Sequence, residues 1–156
     1  MKNLDEFDRG ILEELQQDGS LSIESLAEKV HLSRNACWRR LRALEERGVI
    51  RGRVALVDPE QIGCGLSVFI FIRTANHDPD WLEKFRTAVV SLPEITGVHR
   101  TSGELDYVLK ARVADVKSYD RLYQRLIARV PLSDVTASFV MEDIKDTTAL
   151  PVVSTL

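Results

Sequence analysis

Apolar residues recur at helical spacing through the first 50 residues and predict three short helices in succession. The first helix is followed by Asp18, Gly19 and Ser20, a cluster that is typical of a turn. Its apolar stripe consists of Leu4, Phe7, Ile11, Leu12 and Leu15. Ser22 and Ser33 are each placed to cap a further helix, because a serine hydroxyl accepts hydrogen bonds from the free N–H groups of a first turn.

The second and third predicted helices each carry one apolar face. The inner face of the second helix consists of Leu26, Ala27 and Val30. The inner face of the third helix has the spacing i, i+4 and i+7 and consists of Cys37, Leu41 and Leu44. Gly48 is placed to end this helix. Residues 50–57 then favour an extended segment, with β-branched residues and two arginines.

Residues 58–65 (DPEQIGCG) form the best boundary, with one proline and two glycines in a short stretch. The stretch is too short for a long flexible linker, so we expect a hinge. It separates an N-terminal domain of residues 1–57 from a C-terminal domain of residues 66–156.

The C-terminal domain alternates strand and helix patterns. The predicted strands are Leu66–Arg73, Ile95–Thr101, Leu105–Val113 and Asp134–Ile144. One helix begins at Asp78-Pro79, with an inner face of Trp81, Leu82, Phe85, Ala88, Val89 and Leu92. The other is capped by Asp115 and stops at Pro131, with an inner face of Val116, Tyr119, Leu122, Tyr123, Leu126 and Ile127. The order β-α-β-β-α-β predicts a ferredoxin-like domain and makes the whole chain an α+β protein.

Two helices on one face of such a sheet leave its other face bare. Val108, Val140 and part of the first strand of this domain must then be covered by something else. A second subunit covers them most simply, so we expect an oligomer.

Composition excludes several classes of protein. The chain has 156 residues, is 44% hydrophobic, and has no apolar run near the ~20 residues that span a bilayer. The charged start, Met1–Gly10, does not match a signal peptide. Cys37 and Cys64 have no partner at metal-ligand spacing and suit a reducing cytoplasm. The net charge of −3, taken alone, argues against a nucleic-acid binder.

The distribution of charge reverses that conclusion. Residues 1–28 carry a net charge of −6, residues 29–53 carry +6, and the remainder carries −3. The positive block coincides with the third predicted helix and the extended segment after it. With Cys37, Leu41 and Leu44 inside, the exposed face of this helix presents Arg34, Asn35, Trp38, Arg39 and Arg42.

This pattern predicts a winged helix-turn-helix, whose third helix enters the major groove of double-stranded DNA. Arginine reads guanine and asparagine reads adenine, while helix dipole and flanking arginines meet phosphates. The predicted DNA-binding residues are Ser33, Arg34, Asn35, Arg39, Arg40, Arg42, Arg51 and Arg53. Trp38 either packs against the second helix or faces the groove, and we favour packing. A charge run alone is more often a solvated surface, but the helix spacing and one-sided charge favour DNA binding here.

The chain resembles the Lrp/AsnC family of regulators from about Leu4 to Pro151. In the N-terminal half the resemblance rests on LDEFDRGILEELQQDGSLSIESLAEKVHLS and RNACWRRLRALEERGVIRG. In the C-terminal half it rests on TSGELDYVLKARVADVKSY and FVMEDIK. The resemblance implies a ferredoxin-like effector domain, dimers built through the sheets and often octamers. It also implies small amino-acid effectors at subunit interfaces. The stretches ACWRRL and PLSDVTASFVMEDIKDTTALP are most similar to a cysteine-responsive subgroup.

The resemblance also indicates an effector turn after the second strand of the C-terminal domain. Carried over to this chain, the turn comprises Thr101, Ser102, Gly103 and Glu104, followed by Asp106. A glycine lets the backbone approach a carboxylate, and Glu104 or Asp106 suits an α-ammonium group. Thr136 and Ser138 share one face of the last strand and offer hydroxyls. The alternative is a plain hairpin turn with Asp106 exposed.

No catalytic, cofactor or metal site is indicated. His31, His77 and His99 lack ligand spacing, and no nucleophile motif such as GxSxG is present. The sequence therefore predicts a cytoplasmic, amino-acid-responsive transcriptional regulator that binds DNA as a homodimer or higher oligomer. The alternatives are an architectural DNA-binding protein without ligand control and, from a different class, a small dimeric α+β-barrel enzyme.

Overall fold

The computed structural model describes residues 4–75 and 78–152, which divide into two compact units. The second unit is Val57–Ile144, and the first combines the residues up to Leu56 with those from Lys145 onward. By its contacts the segment from Lys145 onward groups with the first unit, although the predicted C-terminal domain of residues 66–156 includes it. The physical reason is that Val152 packs against the core of the N-terminal helices. None of the described helices combines the length and apolar character that crossing a bilayer requires.

The first unit begins with three helices, as the hydrophobic pattern predicts. They are α1 (Glu6–Gln17), α2 (Ile23–Lys29) and α3 (Arg34–Glu46). Ser22 and Ser33 cap α2 and α3 by accepting from the N–H groups of Ser25 and Ala36, which confirms both predicted caps. The core consists of Ile11, Leu12, Leu26, Ala27, Val30, Cys37 and Leu44.

The turn between α2 and α3 contains a strained residue. His31 has φ of +55°, in the left-handed region that side chains other than glycine rarely adopt. The N–H of His31 donates to the Glu28 carbonyl and the N–H of Leu32 to the Ala27 carbonyl, at 3.2 and 2.9 Å. These two bonds form a Schellman motif that ends α2 and sets the direction of α3.

The segment after α3 differs from its prediction. Residues 51–57 are exposed and form no strand with any other described part of the chain. Val54 and Leu56 are 84% and 76% exposed. The β-branched composition favours a strand, but no residue in ranges 4–75 and 78–152 pairs with this segment as a strand, so the predicted extended segment is irregular.

The second unit is a four-stranded antiparallel sheet with two helices. Its elements are β1 (Leu66–Arg73), α4 (Pro79–Val90), β2 (Ile95–Arg100), β3 (Tyr107–Val113), α5 (Val116–Ile127) and β4 (Asp134–Phe139). The strand order is β2-β3-β1-β4. Every neighbouring pair is antiparallel, which confirms the predicted ferredoxin-like arrangement.

Both helices of this unit pack on one face of the sheet. Trp81, Phe85, Leu122 and Leu126 are buried against strand residues such as Ile70. The inner face of α5 is narrower than predicted, since Val116 and Ile127 are 58% and 37% exposed. β4 ends at Phe139 rather than Ile144, because its pairing with β1 stops there.

The opposite face of the sheet has no helix among the described residues. Cross-strand partners share a face, so one row runs His99, Val108, Phe71 and Thr136 across the four strands. The next row contains Lys110, Phe69 and Ser138. The bare face predicted from the sequence is therefore present, and it combines aromatic side chains with polar ones.

Candidate nucleic-acid interface and effector turn

The outer face of α3 is a row of exposed side chains opposite the buried stripe. Cys37 and Leu44 are fully buried, and this orientation turns the other side of the helix to solvent. The exposed row consists of Arg34, Asn35, Trp38, Arg39 and Arg42. Within the described ranges, Arg39 makes no ion pair, so its charge is available to a ligand. This surface, the α3 outer face, has the shape and charge that a major groove accepts.

Trp38 belongs to this surface and not to the core, which corrects the preference for packing. Its side chain is 54% exposed, and the Arg42 guanidinium carbon lies 5.8 Å from the ring centroid. A cation over an aromatic ring is attracted by the electron density of its face. Arg42 also lies 3.6 Å from the Glu45 carboxylate. The pair Trp38 and Arg42 therefore forms a flat, cationic patch on the helix surface.

Arg40 does not belong to the α3 outer face, although the sequence places it among the predicted DNA-binding residues. Its Nη1 donates to Asp5 Oδ2 at 2.6 Å and to Asp8 Oδ1 at 2.8 Å, and its guanidinium lies 5.3 Å from the Phe7 ring centroid. Arg40 follows Cys37 by three residues and precedes Leu44 by four, so it lies on the inner side of α3. That spacing was the signal in the sequence.

Charge and hydrogen bonding hold this contact between α1 and α3. The Asp8 N–H, and further the Arg40 side chain, lower the pKa of Asp5 although burial acts in the opposite direction. Hydrogen bonds to Asp5, followed by those to Asp8, raise the pKa of Arg40. Both shifts favour the ionised pair at neutral pH. Arg40 is therefore a structural residue that fixes α3 on α1.

The remaining predicted DNA-binding residues differ in whether their side chains already bind another residue of the chain. Arg34 pairs with Glu24 at 2.6 Å, with both side chains more than half exposed. Arg53 lies 3.1 Å from Glu45, which holds it close to the end of α3. Arg51 is exposed and makes no ion pair within the described ranges. Ser33 uses its hydroxyl to cap α3, a contact 3.3 Å long.

The effector turn between β2 and β3 is held by its own backbone. The Thr101 N–H donates to the Asp106 carbonyl at 2.9 Å, and the Thr101 hydroxyl donates to the Leu105 carbonyl. Gly103 has φ of +129°, a conformation that requires glycine, and a Cβ added there meets no atom within 4 Å. Ser102, Gly103 and Glu104 are exposed. The turn is a preformed, open loop.

Both candidate carboxylates already have partners within the domain. Asp106 Oδ2 accepts from the Thr74 N–H at 2.8 Å, and the Asp106 N–H donates to the Ile72 carbonyl at 3.0 Å. Asp106 therefore anchors the turn to the end of β1 and is half-buried. Glu104 is paired with Arg73, the last residue of β1, and its side chain is 83% exposed. Of the two, Glu104 is the one available to a ligand.

Thr136 and Ser138 are not part of this turn. They lie on β4, and β1 separates β4 from β3. Their register partners on β1 are Phe71 and Phe69, so both hydroxyls lie on the open face of the sheet. Within one chain the structure therefore does not bring them together with residues 101–106, and their assignment to the effector site stays a prediction.

A groove that the sequence does not predict lies beside β2. It has a volume of about 520 Å³ and a mainly apolar lining that includes Phe85, Val89 and Val98. Arg86 and Arg100 add two cations. Apolar positions at helix and strand spacing are indistinguishable from core in the sequence, so no signal marked this groove.

No three His, Cys, Asp or Glu side chains gather into a metal-binding arrangement within residues 4–75 and 78–152. His77 lies outside the described residues. His31 and His99 belong to different units.

Comparison with known proteins assigns both units. A sequence model of the Lrp/AsnC ligand binding domain matches residues 67–150, and one of the winged helix-turn-helix DNA-binding domain matches residues 4–51. The DNA-binding transcriptional activator DecR of Escherichia coli is 51% identical over 150 residues, 96% of this chain and 99% of DecR. The chain belongs to the Lrp/AsnC family. Its members include DNA-binding transcriptional regulators, so the alternative of a small enzyme is wrong.

Two solved structures extend the agreement to the fold. An AsnC family transcriptional regulator from Agrobacterium tumefaciens has a TM-score of 0.91 and 47% identity, covering 94% of this chain and 96% of its own. A transcriptional regulator from Neisseria meningitidis, in complex with L-Met, has a TM-score of 0.90 and 36% identity, covering 95% and 96%. This Lrp/AsnC chain is thus a transcriptional regulator with a DNA-binding and a ligand-binding domain.

Proposed function

We propose that the α3 outer face reads operator DNA and that the effector turn binds a small α-amino acid. The observation that carries the first part is the division of arginines on α3. Arg39 and Arg42 point to solvent, whereas Arg40 forms ion pairs with Asp5 and Asp8. Binding in the major groove needs a helix that presents cations to solvent and is held in place from its other side.

The proposed base and phosphate contacts follow from side-chain chemistry. Asn35 and Arg39, in the first half of α3, are placed to meet base edges. Arg34, Arg42, Arg51 and Arg53, together with the Ser33 hydroxyl, are placed to meet phosphates. Trp38 adds a flat apolar surface beside Arg42.

We propose a homodimer as the binding form, which assembles to a higher oligomer such as an octamer. The open face of the sheet supports this, because Phe69, Phe71 and Val108 lie there without a helix over them in the described chain. Two-fold symmetry gives two recognition helices, which suits half-sites about 34 Å apart. A protein that binds operator DNA in this way is expected in the cytoplasm.

The proposed effector is an amino acid, with cysteine as the first candidate. The open turn at Gly103 offers backbone N–H groups to a carboxylate, and Glu104 offers a negative charge to an ammonium group. The L-Met complex of the Neisseria meningitidis regulator supports an amino-acid ligand. Binding of the effector acts on DNA through a coupling free energy, typically about 1–3 kcal/mol.

The DNA surface is tested with single substitutions at equal salt. Arg39→Ala and Arg42→Ala are expected to weaken operator binding with the oligomer intact, whereas Arg121→Ala, which removes an exposed charge from α5, is the matched control. The affinity of the unaltered protein should fall by about 0.9 log unit per log unit of salt for each neutralised phosphate. Normal affinity of both α3 variants would remove the assignment. Footprints that spread with concentration, without ordered sites, would favour an architectural role.

The effector is tested by thermal unfolding with each of the twenty amino acids, cysteine first, since a ligand of the folded state raises the unfolding temperature. Glu104→Gln is expected to reduce the shift, and Glu83→Gln on α4 is the matched control. Asp106→Ala is less informative because it also removes the bond to Thr74. If the ligand raises the unfolding temperature of Glu104→Gln as much as that of the unaltered protein, and a substitution of Val98 abolishes this rise, the ligand binds in the groove beside β2 instead.

A further inference from the structure

The C-terminal segment is bound to the first helix by one side chain. Gln16 Nε2 donates to the Leu150 carbonyl at 3.0 Å, and the Leu150 N–H donates to Gln16 Oε1 at 2.7 Å. Both backbone groups of one residue are therefore satisfied by a single amide, across 134 positions of sequence. A glutamine amide offers one acceptor and two donors, so it matches a backbone unit as a strand partner does.

Apolar packing supports the same contact. Leu150 has its backbone bound and its side chain 72% exposed, whereas Val152 packs against the core formed by α1, α2 and α3. The segment is therefore held through its backbone at Leu150 and through a side chain at Val152. The segment is therefore a docked part of the first unit.

The same segment follows the last strand of the second unit along the chain. Leu150 lies eleven residues after Phe139, the end of β4, and the chain returns to the first unit at Lys145. The two units are thus joined by two lengths of chain, one near residue 57 and one near residue 144.

We propose that residues 145–152 form a strap that ties β4 to α1 and carries the state of the effector domain to the DNA-binding helices. On this route a change at β4 reaches Gln16 along residues 145–152, and α1 passes it to α3 through the contacts of Asp5 and Asp8 with Arg40. This inference rests on the proposed function and adds the route by which the effector domain acts on DNA binding.

The strap is tested in the full-length protein by amide hydrogen exchange. Gln16→Ala removes both bonds to Leu150 and is expected to speed exchange of the Leu150 amide about five-fold, the effect of losing a typical hydrogen bond. Gln17→Ala is the matched control, because Gln17 is exposed and its side chain makes no hydrogen bond within the described ranges. Both variants make the same change of helix propensity. Val152→Ser provides a second variant that loosens the strap with Gln16 in place.

Transmission is tested by adding a random-sequence DNA duplex at low salt. In the unaltered protein and in Gln17→Ala, DNA should slow exchange in α3 and also change it in residues 134–150. In Gln16→Ala and Val152→Ser the effect on α3 should persist while the effect on residues 134–150 is lost. Equal Leu150 exchange in all four proteins overturns the strap, as does α3 protection without a response at 134–150 in the unaltered protein. Absence of α3 protection throughout contradicts the DNA surface itself.

Discussion

Arg40 donates to Asp8 at 2.8 Å, and this contact joins α3 to α1 across 32 residues of sequence. Asp8 is 8% exposed, so its carboxylate depends on this partner. Arg39, the neighbouring residue, points to solvent. Two adjacent arginines of one helix thus have separate roles, and substitutions distinguish them.

Arg40→Ala is expected to lower the free energy of unfolding by about 1–3 kcal/mol, because it leaves the Asp8 carboxylate buried without its ion pair. Arg39→Ala is expected to leave stability within about 0.5 kcal/mol of the unaltered protein, as surface changes do. Urea unfolding followed by circular dichroism measures both. Equal stability of the two variants would contradict the structural role of Arg40.

Stability of the helical unit should fall in acid through Asp5. The pKa of Asp5 is lowered in the folded protein, chiefly by the N–H of Asp8 and further by Arg40. The unfolded state therefore binds the proton more tightly, so stability is present above the ordinary carboxylate pKa of 3.8 and is lost as pH falls through the lowered value. Thermal unfolding between pH 7 and pH 2 should show a smaller acid loss in Asp5→Asn. An identical pH dependence contradicts this account.

His31→Gly is expected to stabilise the first unit by about 1 kcal/mol. The left-handed φ of +55° strains any residue with a Cβ, and glycine removes that strain. The gain is reduced because glycine also increases the conformational entropy of the unfolded chain. His31→Ala, which keeps a Cβ, is the control and should show no comparable gain. A stabilisation by alanine equal to that by glycine would assign the effect to the imidazole.

The two cysteines should react at different rates with a thiol reagent. Cys37 is fully buried, and burial raises the pKa of its thiol, so little thiolate is present at neutral pH. Cys64 is half-buried in the segment before β1. Mass spectrometry after brief treatment with iodoacetamide should find the label on Cys64 first. Early labelling of Cys37 in folded protein would show that the helical core opens readily.

The candidate DNA surface was largely predictable because it depends on one helix. Cys37 and Leu44 occupy the buried face of α3. The opposite face must then turn outward, and it carries Arg34, Asn35, Arg39 and Arg42. The partners of Arg40 and the exposure of Trp38 were not predictable, because they depend on side chains other than the stripe of α3. Arg40 pairs with Asp5 and Asp8 at the start of α1, and Trp38 is more than half exposed with Arg42 over its ring.

The effector site was less predictable because its residues are distant in sequence. The turn at Gly103 is local and was identified, but the partners of Asp106 and Glu104 come from the end of β1. Thr136 and Ser138 share a strand face, yet the strand order places them beside Phe71 and Phe69 and away from the turn.

The sequence by itself determined the helices, their caps and the succession of strands and helices along the chain, since these follow from short-range periodicity and from side chains that bond within one turn. It also determined the concentration of positive charge in residues 29–53. Only the tertiary structure decided which arginine is structural, that residues 51–57 form no strand, and that Leu150 binds Gln16. These features depend on contacts between residues far apart in the chain, and no local pattern records which distant group becomes the partner.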